Sequence, residues 1–473
     1  MKKHMFLLMA ACLCSIAAAA PLDCAEPPVF IRGVRPLAMG GAFVGLADDQ
    51  NAIFYNPAGI TQRRSGQLTI FELPINIGDD IFSFYNFYDK NRDNLENFDS
   101  LPHADKVSLL DEINTSITKY QPRIRLGFPN TGFLSGPGFL SWGIGIFSQA
   151  DLSFKMNKSL IIPNISFLGN VDGIGTVPLA HRFDSLPFIP GKMSVGTTLK
   201  YIARARIAEY NKSILEFENF DPLLQMGMGM GLDFGAMYQP FDTLNIGLQV
   251  TDFGGTPIVF QRVESSKTNE AREASTGVIY PQWNVGTAYI PSKIYYWPGR
   301  SINTLNRLTL AADLRDILNT DEKLLDDTFW KKLHFGAEFR WSLLALRGGF
   351  NSGYPTFGAG INLFLLQLEY AFWGDELGRF AGQIPEWNHQ LSISMRFGQN
   401  KGRAWGKSAM PAPAKTAKTT EPQIAESIKP VTPEQNQSPA PAEAAPTEVT
   451  PAEAAPADSA PAEKPATESA PPK

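Results

Sequence analysis

Residues Val195 to Ile207 read VGTTLKYIARARI, and the two faces of that stretch differ. Odd positions carry Val195, Thr197, Leu199, Tyr201, Ala203, Ala205 and Ile207; even positions carry Gly196, Thr198, Lys200, Ile202, Arg204 and Arg206. Side chains alternate between the two sides of a β-strand, so this pattern predicts a strand with one apolar and one charged face. The period recurs along the chain. Ile124, Leu126 and Phe128 oppose Arg123 and Arg125, while Leu308, Leu310, Ala312 and Leu314 oppose Thr309, Asp313 and Arg315. Phe335, Ala337, Phe339 and Trp341 oppose Glu338 and Arg340; Leu366, Leu368 and Tyr370 oppose Gln367 and Glu369. The last such stretch places Leu391, Ile393, Met395 and Phe397 against Ser392, Ser394 and Arg396.

Alternation alone fits both a soluble β-sandwich and a transmembrane barrel, since each has one apolar face per strand. Three features favour the barrel. The chain begins MKKHMFLLMAACLCSIAAAAP, with a basic start, an apolar core and small residues before Pro21, the pattern of a cleaved export signal over residues 1–20. Aromatics recur towards strand ends, at Trp142, Phe183, Tyr201, Tyr238, Trp283, Tyr289, Trp341 and Tyr370, as interfacial girdles require. The strands are also long for a sandwich, whose strands usually run about 5–6 residues. Polar insertions (Asp89–Thr118, Ala208–Asp221, Gln261–Thr276, Asp316–Lys332) are expected to form long loops on one side, with tight turns such as Pro240–Asp242 and Gly353–Pro355 between others. A helix is expected over Ala104–Ile117, outside the membrane. The reading is an all-β, antiparallel transmembrane barrel of about fourteen strands over residues 66–398, an even number because both chain ends of such a barrel face the same side.

Beyond Gly398 the composition turns to Ala, Pro, Glu, Thr and Lys, with Pro446, Pro451, Pro456 and Pro461 five residues apart. Such a segment buries no core, and residues 399–473 are expected to be a disordered periplasmic tail. The net charge of −5 over 473 residues leaves no basic stripe for nucleic acid. Of the three cysteines, Cys12 and Cys14 fall in the export signal, which leaves Cys24 alone. No metal site or cofactor follows from one cysteine and the scattered His103, His181, His334 and His389. No HExxH or GxSxG sequence is present, and Ser394 near His389 reads as an ordinary strand serine rather than a nucleophile, so no catalytic residue and no enzyme is expected. MGMGMGLDFG, with Gly227, Gly229 and Gly231, imitates a nucleotide-binding glycine loop. No helix pattern follows it, so Met226, Met228 and Met230 are expected to face lipid, with the glycines smoothing the interior where a plug packs.

Between the signal and the first strand lies RGVRPLAMGGAFVGLADDQNAIFYNPAGIT, residues Arg32 to Thr61. Gly40, Gly41 and Ala42, then Ala47, Asp48 and Asp49, then Asn56, Pro57, Ala58 and Gly59 resemble the N-terminal hatch of FadL-like outer-membrane proteins, and more closely their PorV/PorQ-type branch. LEYAFWGDELG and HQLSISMRFG resemble that branch's last two strands. The resemblance implies a plug, residues 26–65, inside a fourteen-stranded barrel in the outer membrane. It also implies uptake of hydrophobic small molecules such as long-chain fatty acids, gated by the plug and leaving through the barrel wall. Phe54, Tyr55, Asn56, Pro57 and Gly59 are the expected gating residues on that analogy. The residues themselves agree: Asp48 or Asp49 is placed to cap a short helix through Phe54 and Tyr55, and Pro57 forces Asn56 out of helical geometry.

Inward charges, among them Lys200, Arg204 and Arg206, are expected either to pair across strands and hold Asp48 and Asp49, or to bind an anionic head group. The expected partners are outer-membrane lipid, the barrel assembly machinery, and either a hydrophobic ligand or, in a PorV-like secretion role, an exported protein. A soluble exported β-sandwich scaffold is the reading without a membrane.

Overall fold

The computed structural model describes residues 22–398 apart from residues 30, 64, 117–120, 129, 158–163, 186–189, 214–222, 265–270, 292, 298–299, 304–307, 319–328 and 378–379. The expected export signal and the expected disordered tail, residues 1–20 and 399–473, lie outside the described residues.

Among the described residues, fourteen strands form one antiparallel sheet that closes on itself. They are β1 (Gln67–Gly78), β2 in two pieces (Arg123–Leu126 and Asn130–Leu134), β3 (Ser141–Asn157), β4 (Asn164–Phe183), β5 (Lys192–Ser213) and β6 (Leu224–Phe241). The ring continues through β7 in two pieces (Leu244–Thr251 and Thr256–Phe260), β8 in two pieces (Ser275–Ile279 and Gln282–Tyr289), β9 (Leu308–Leu314) and β10 (Leu333–Trp341). It ends with β11 (Leu344–Asn351), β12 (Tyr354–Leu363), β13 (Leu366–Glu376) and β14 (Pro385–Phe397). Closure is direct: β1 pairs with β14 from Leu68 opposite Phe397 to Gly78 opposite Asn388. One closed sheet, rather than two stacked sheets, removes the sandwich reading.

Face parity follows the alternation. Leu199, Tyr201, Met226, Met228, Met230, Phe357 and Leu391 are exposed on the outer face, while Thr198, Lys200, Arg204, Asp233, Glu338 and Ser392 are buried on the inner one. Of the expected girdle residues, Tyr201 instead sits midway along β5. β5 has 22 residues, about 70 Å at ~3.3 Å per residue. That is far more than an apolar band of ~25 Å requires, so the ends of β4 and β5 away from their shared turn project well beyond the rim.

We call the rim holding Gln67 and Phe397 proximal and the opposite rim distal. The β6–β7, β10–β11 and β12–β13 turns at the proximal rim are two residues each. The segregation of long and short connections is incomplete. The proximal β8–β9 connection carries a hairpin (Lys293–Trp297 with Arg300–Asn303), and the distal β11–β12 turn is only two residues, Ser352 and Gly353. Ala208 continues in strand rather than opening a loop, because β5 pairs with β4 as far as Ser213 opposite Asn164.

Three strands are interrupted where the sequence removes pairing. The pieces of β2 are separated at Gly127 and Phe128, where the Gly127 amide still donates to the Pro74 carbonyl at 3.0 Å. In β7, Asp252, Gly254 and Gly255 have φ of 50°, 80° and 83°, a left-handed kink that glycine supplies at low cost. β8 is broken before Gln282, at Pro281. Among the described residues the outer piece of β8 has no β9 beside it; the N-terminal strand Leu22–Ala25 pairs with it in parallel, Leu22 opposite Thr276 and Ala25 opposite Val278.

The N-terminal segment then fills the lumen with α1 (Val34–Ala38), α2 (Ala52–Tyr55) and a 3-10 turn at Pro57–Gln62, nearly all of it buried. A helical pair, α3 (Asp80–Glu96) and α4 (His103–Ser116), occupies the distal β1–β2 connection. α4 matches the expected helix; α3 starts earlier than the expected insertion. Among the described residues no helix is long and apolar enough to cross a membrane.

Candidate functional site: a plugged lumen and a broken wall

Wall glycines make room for the plug at close quarters. A Cβ on Gly336 or Gly349 would collide with the backbone at Met39 and Phe335, one on Gly358 with the Ala38 side chain, and one on Gly247 with the Val44 carbonyl. Gly196 and Gly235 do the same for Pro57 and Ala58. On the plug, Gly40 (φ 63°) and Gly41 (φ 80°) take the left-handed turn that leads the chain off α1, and Gly40 touches the Phe335 and Phe350 carbonyls. The Gly227, Gly229 and Gly231 run lies elsewhere. Its glycines are crowded by β7 itself, through Ile258, Pro257 and Thr256, rather than by the plug.

Charge fixes the plug in register. Arg35 on α1 donates from Nε and Nη2 to Glu338 of β10 at 2.8 and 2.9 Å, and from Nη1 to Asp48 and Asp49 at 2.6 and 2.7 Å. Burial alone would pull its guanidinium down, but Asp48, Glu338 and Asp49 hold it well above its ordinary value, so it stays charged. Glu338 also receives Arg340 and Arg347, each at 2.9 Å, and Arg347 reaches Glu369 at 2.8 Å. A hatch arginine thus holds both hatch carboxylates, and the wall holds that arginine through Glu338. Asp48 does not cap α2; Asp49 instead accepts from the Asn51 backbone and side-chain nitrogens at 2.8 and 2.9 Å.

Two more wall groups bind plug backbone. Asp313 of β9 accepts from the Phe43 and Val44 amides at 2.6 and 2.8 Å, and the His334 ring bonds the Gly40 carbonyl through Nδ1 at 2.8 Å.

The five expected gating residues come together in the plug. Asn56 is extended (φ −167°), as Pro57 requires, and is fully buried. Its Nδ2 donates to the Val44 and Ala236 carbonyls at 3.0 and 3.1 Å, and its Oδ1 accepts from the Ala58 amide, so it clips the plug both to itself and to β6. Phe54 packs edge-on against Phe147 of β3 and Tyr55 against Phe43, with centroids 5.0 and 5.3 Å apart. Arg315 sits 5.2 Å from the centre of the Tyr55 ring. Pro57 lies in the Gly196 and Gly235 notch, and Gly59 lies where any Cβ would meet Ala47.

The structure does not bring Lys200, Arg204 and Arg206 together as one anion site. Lys200 binds Asp233 and Asp252, both at 2.8 Å. Arg204 binds Asp172 at 2.7 Å and Glu26 at 3.0 Å; Arg206 binds Glu26, Gln225 and Ser275 and lies over the Phe260 ring. Their carboxylate partners neutralise them, and Glu26 ties the start of the plug to β5.

A cavity of about 190 Å³ lies on the distal side of the plug. Pro27, Pro28, Ile31 and Arg32 of the plug form one wall, Trp373 and Gln390 another, and Arg123, Arg125 and Asp151 its charged corner. It extends to Leu126 and Gly127, where β2 is interrupted, and to Pro74 and Ser148 on the neighbouring strands. At Gly127 a Cβ would lie 2.8 Å from Pro74 Cγ and 2.9 Å from the Ser148 carbonyl, so a glycine is needed there. Just outside, Leu126 and Phe128 are exposed on the outer face. A smaller cavity of about 100 Å³ opens at the proximal rim beneath Arg35, Asp48 and Asp49.

Sequence reasoning named Glu338, Asp313 and the gating residues but missed Arg35 and Gly127. Arg35 was visible as the one cation inside an otherwise apolar hatch helix, and Gly127 as a glycine next to Phe-Pro in an alternating stretch.

The fold is thus that of a closed, plugged, fourteen-stranded antiparallel barrel. No family model and no curated protein matches the chain. Among solved structures it is similar to the toluene transporter TodX of P. putida (TM-score 0.43, 11% identity, 77% of this chain and 98% of that one). It is also similar to the monoaromatic hydrocarbon channel CymD (0.40, 11%, 77% and 96%) and to the translocator domain of the autotransporter NalP from Neisseria meningitidis (0.35, 10%, 72% and 90%).

Proposed function

We propose that this chain is an outer-membrane barrel that admits hydrophobic small molecules, long-chain fatty acids among them, to the lumen and releases them sideways through the wall. The outer face supports membrane placement: exposed apolar side chains run around the ring from Ile144 and Leu199 to Leu346 and Leu391, opposite a buried polar interior. Such an area in contact with water would be very costly at ~25 cal/mol per Å². The observation that carries the transport reading is the reach of the distal cavity to Gly127, where β2 is interrupted and Leu126 and Phe128 face outward. A molecule in that cavity has the plug beneath it and, beside it, a stretch where the regular ladder gives way to the Gly127 amide on the Pro74 carbonyl and to the Ser148 hydroxyl bridging Phe128. Phe54, Tyr55, Asn56, Pro57 and Gly59 act in this reading as the fixed part of the gate.

The test is uptake of a fluorescent fatty acid by cells or proteoliposomes carrying the wild-type chain or Gly127→Phe, with heat-modifiable gel migration reporting barrel assembly. We expect assembled Gly127→Phe to lose at least about tenfold in initial rate, equivalent to ~1.4 kcal/mol. Wild-type rates in the assembled variant would remove the lateral route. No uptake above empty vesicles by the wild type, together with co-purification of an exported protein, would favour the secretion role instead.

A further inference from the structure

We propose that the α3–α4 pair is an interfacial anchor that lies on the outer leaflet of the membrane beside the broken strand β2, and that its partner is a lipid surface. This rests on the membrane placement proposed above.

The pair sits against the outside of the barrel rather than over its mouth. Phe84 of α3 packs edge-on against Phe154 of β3 with centroids 4.8 Å apart. Phe154 has the same parity as Leu152, which pairs with outward-facing Ile124, so it belongs to the outer face. A second attachment is polar. His389 of β14 bonds Asp79, the residue before α3, at 2.9 Å through Nε2, and the Tyr370 hydroxyl at 2.7 Å through Nδ1. Tyr370 also faces outward. Two strands on either side of β1 and β2 thus hold the root of α3 on the outer wall.

α3 and α4 then use their shared face on each other. Phe84, Phe87 and Leu95 close over buried Leu109 and Ile113. The remaining aromatics of α3, Phe82, Tyr85 and Tyr88, have no such cover and are 56, 62 and 42% exposed. Along the same face the chemistry changes abruptly. Seven residues after Phe82 stands Asp89, and seven after Tyr85 stands Arg92, which pairs with Glu96 at 2.7 Å. Seven residues are nearly two helical turns, so side chains at that spacing point the same way about 10 Å apart. The aromatic turns are those rooted at the wall and the charged turns are the distant ones.

That ordering follows the polarity profile of a membrane interface, in which phenyl and phenol rings settle at head-group depth and charges stay in water. The exposed apolar surface of the barrel wall at Ile124, Leu126 and Phe128 lies on the same outer side, below the polar Asp79–His389 contact at the root of α3. From Arg123 at the top of β2 to Leu126 is three residues, about 10 Å. The anchor therefore stands at the same edge of the barrel as the interruption of β2.

The experiment places one nitroxide at a time on the full-length chain with Cys12→Ser, Cys14→Ser and Cys24→Ser, in phosphatidylcholine vesicles, and compares collisions with oxygen and with a water-soluble nickel chelate. Phe82→Cys, Tyr85→Cys and Tyr88→Cys are expected to show an oxygen-to-nickel ratio at least about threefold above Asp89→Cys, Asp93→Cys and Glu96→Cys. Ile144→Cys on the outer wall is the reference. If Ile144 reads as lipid and the three α3 aromatics read as water, or are shielded from both reagents by protein, the anchor is overturned while membrane placement stands. If Ile144 itself reads as water, the membrane placement has failed and the anchor falls with it.

Discussion

Arg35 of the plug and Glu338 of the wall meet in a two-pronged pair, at 2.8 and 2.9 Å, with both side chains screened from water. Removing one partner of a buried pair leaves the other charge uncompensated, at a cost of ~3–5 kcal/mol. Here Arg35→Gln would take one cation away from Asp48, Asp49 and Glu338 at once, while Glu338 keeps Arg340 and Arg347. We expect it to lower the denaturant midpoint of plug-dependent tertiary signals and to raise single-channel conductance in planar bilayers while the barrel still closes. Wild-type conductance and midpoint in the variant would show that the pair does not hold the plug.

The wall glycines predict a contrast within one residue type. Gly336→Ala places a methyl into the backbone at Met39, whereas Gly173→Ala, on the outer face of β4, has only the Ala203 carbonyl at 3.9 Å. Gly173→Ala is expected to be neutral or to gain ~0.5 kcal/mol from lower chain entropy, and Gly336→Ala to lose ~1–3 kcal/mol through overpacking. Heat-modifiable gel midpoints for the two variants give the comparison. Equal midpoints would mean that the plug does not contact the wall there.

Asn56 gives an ordering that a purely packing role would not. Asn56→Ala leaves the Val44 and Ala236 carbonyls without their donor, at ~1–3 kcal/mol. Asn56→Asp keeps the acceptor for the Ala58 amide but points a second oxygen at both carbonyls. The aspartate is therefore expected to be the less stable variant despite its closer shape. Chemical denaturation in detergent decides it, and the reverse order would discard the donor role.

Thr61 and Ser194 join their hydroxyls at 2.8 Å across the boundary between plug and wall. The pair Thr61→Cys with Ser194→Cys is close enough for a disulfide to form under oxidation. If passage requires the plug to shift, oxidised protein will lose fatty-acid uptake and dithiothreitol will restore it. Undiminished uptake with the bond formed would mean that ligand passes a stationary plug.

How much of this was legible in the sequence divides along a physical line. Period-two alternation dictates which side of a strand a residue faces, so Leu199 and Met228 outside, and Lys200 and Glu338 inside, followed from spacing alone. Asn56 could be placed because proline restricts its predecessor regardless of context. What spacing does not carry is partner choice. Asp48 joins Arg35 in its own segment, and Lys200 joins Asp233 and Asp252, because the closed ring brings these groups together. α3 was missed for a related reason. Phe82, Phe84, Tyr85, Phe87 and Tyr88 are good strand formers, and the packing of Phe84 and Phe87 with Leu109, Ile113 and Phe154 is a tertiary contact that spacing does not show. The strand interruptions were written in Gly127-Phe128-Pro129 and Asp252-Phe253-Gly254-Gly255, yet such sequences also make ordinary turns.

The parallel pairing of Leu22–Ala25 with the outer half of β8 sets an order of events during biogenesis. Leu22 finds Thr276 only after more than half the chain has been made, and Arg35 finds Glu338 later still. The first segment to emerge is thus among the last to acquire its partners, and loop-closure entropy opposes each of these distant contacts until the intervening strands are in place. The lumen is consequently occupied from within by a segment that waits for its own enclosure, and an N-terminal fusion would be tested at that late step rather than at the start of folding.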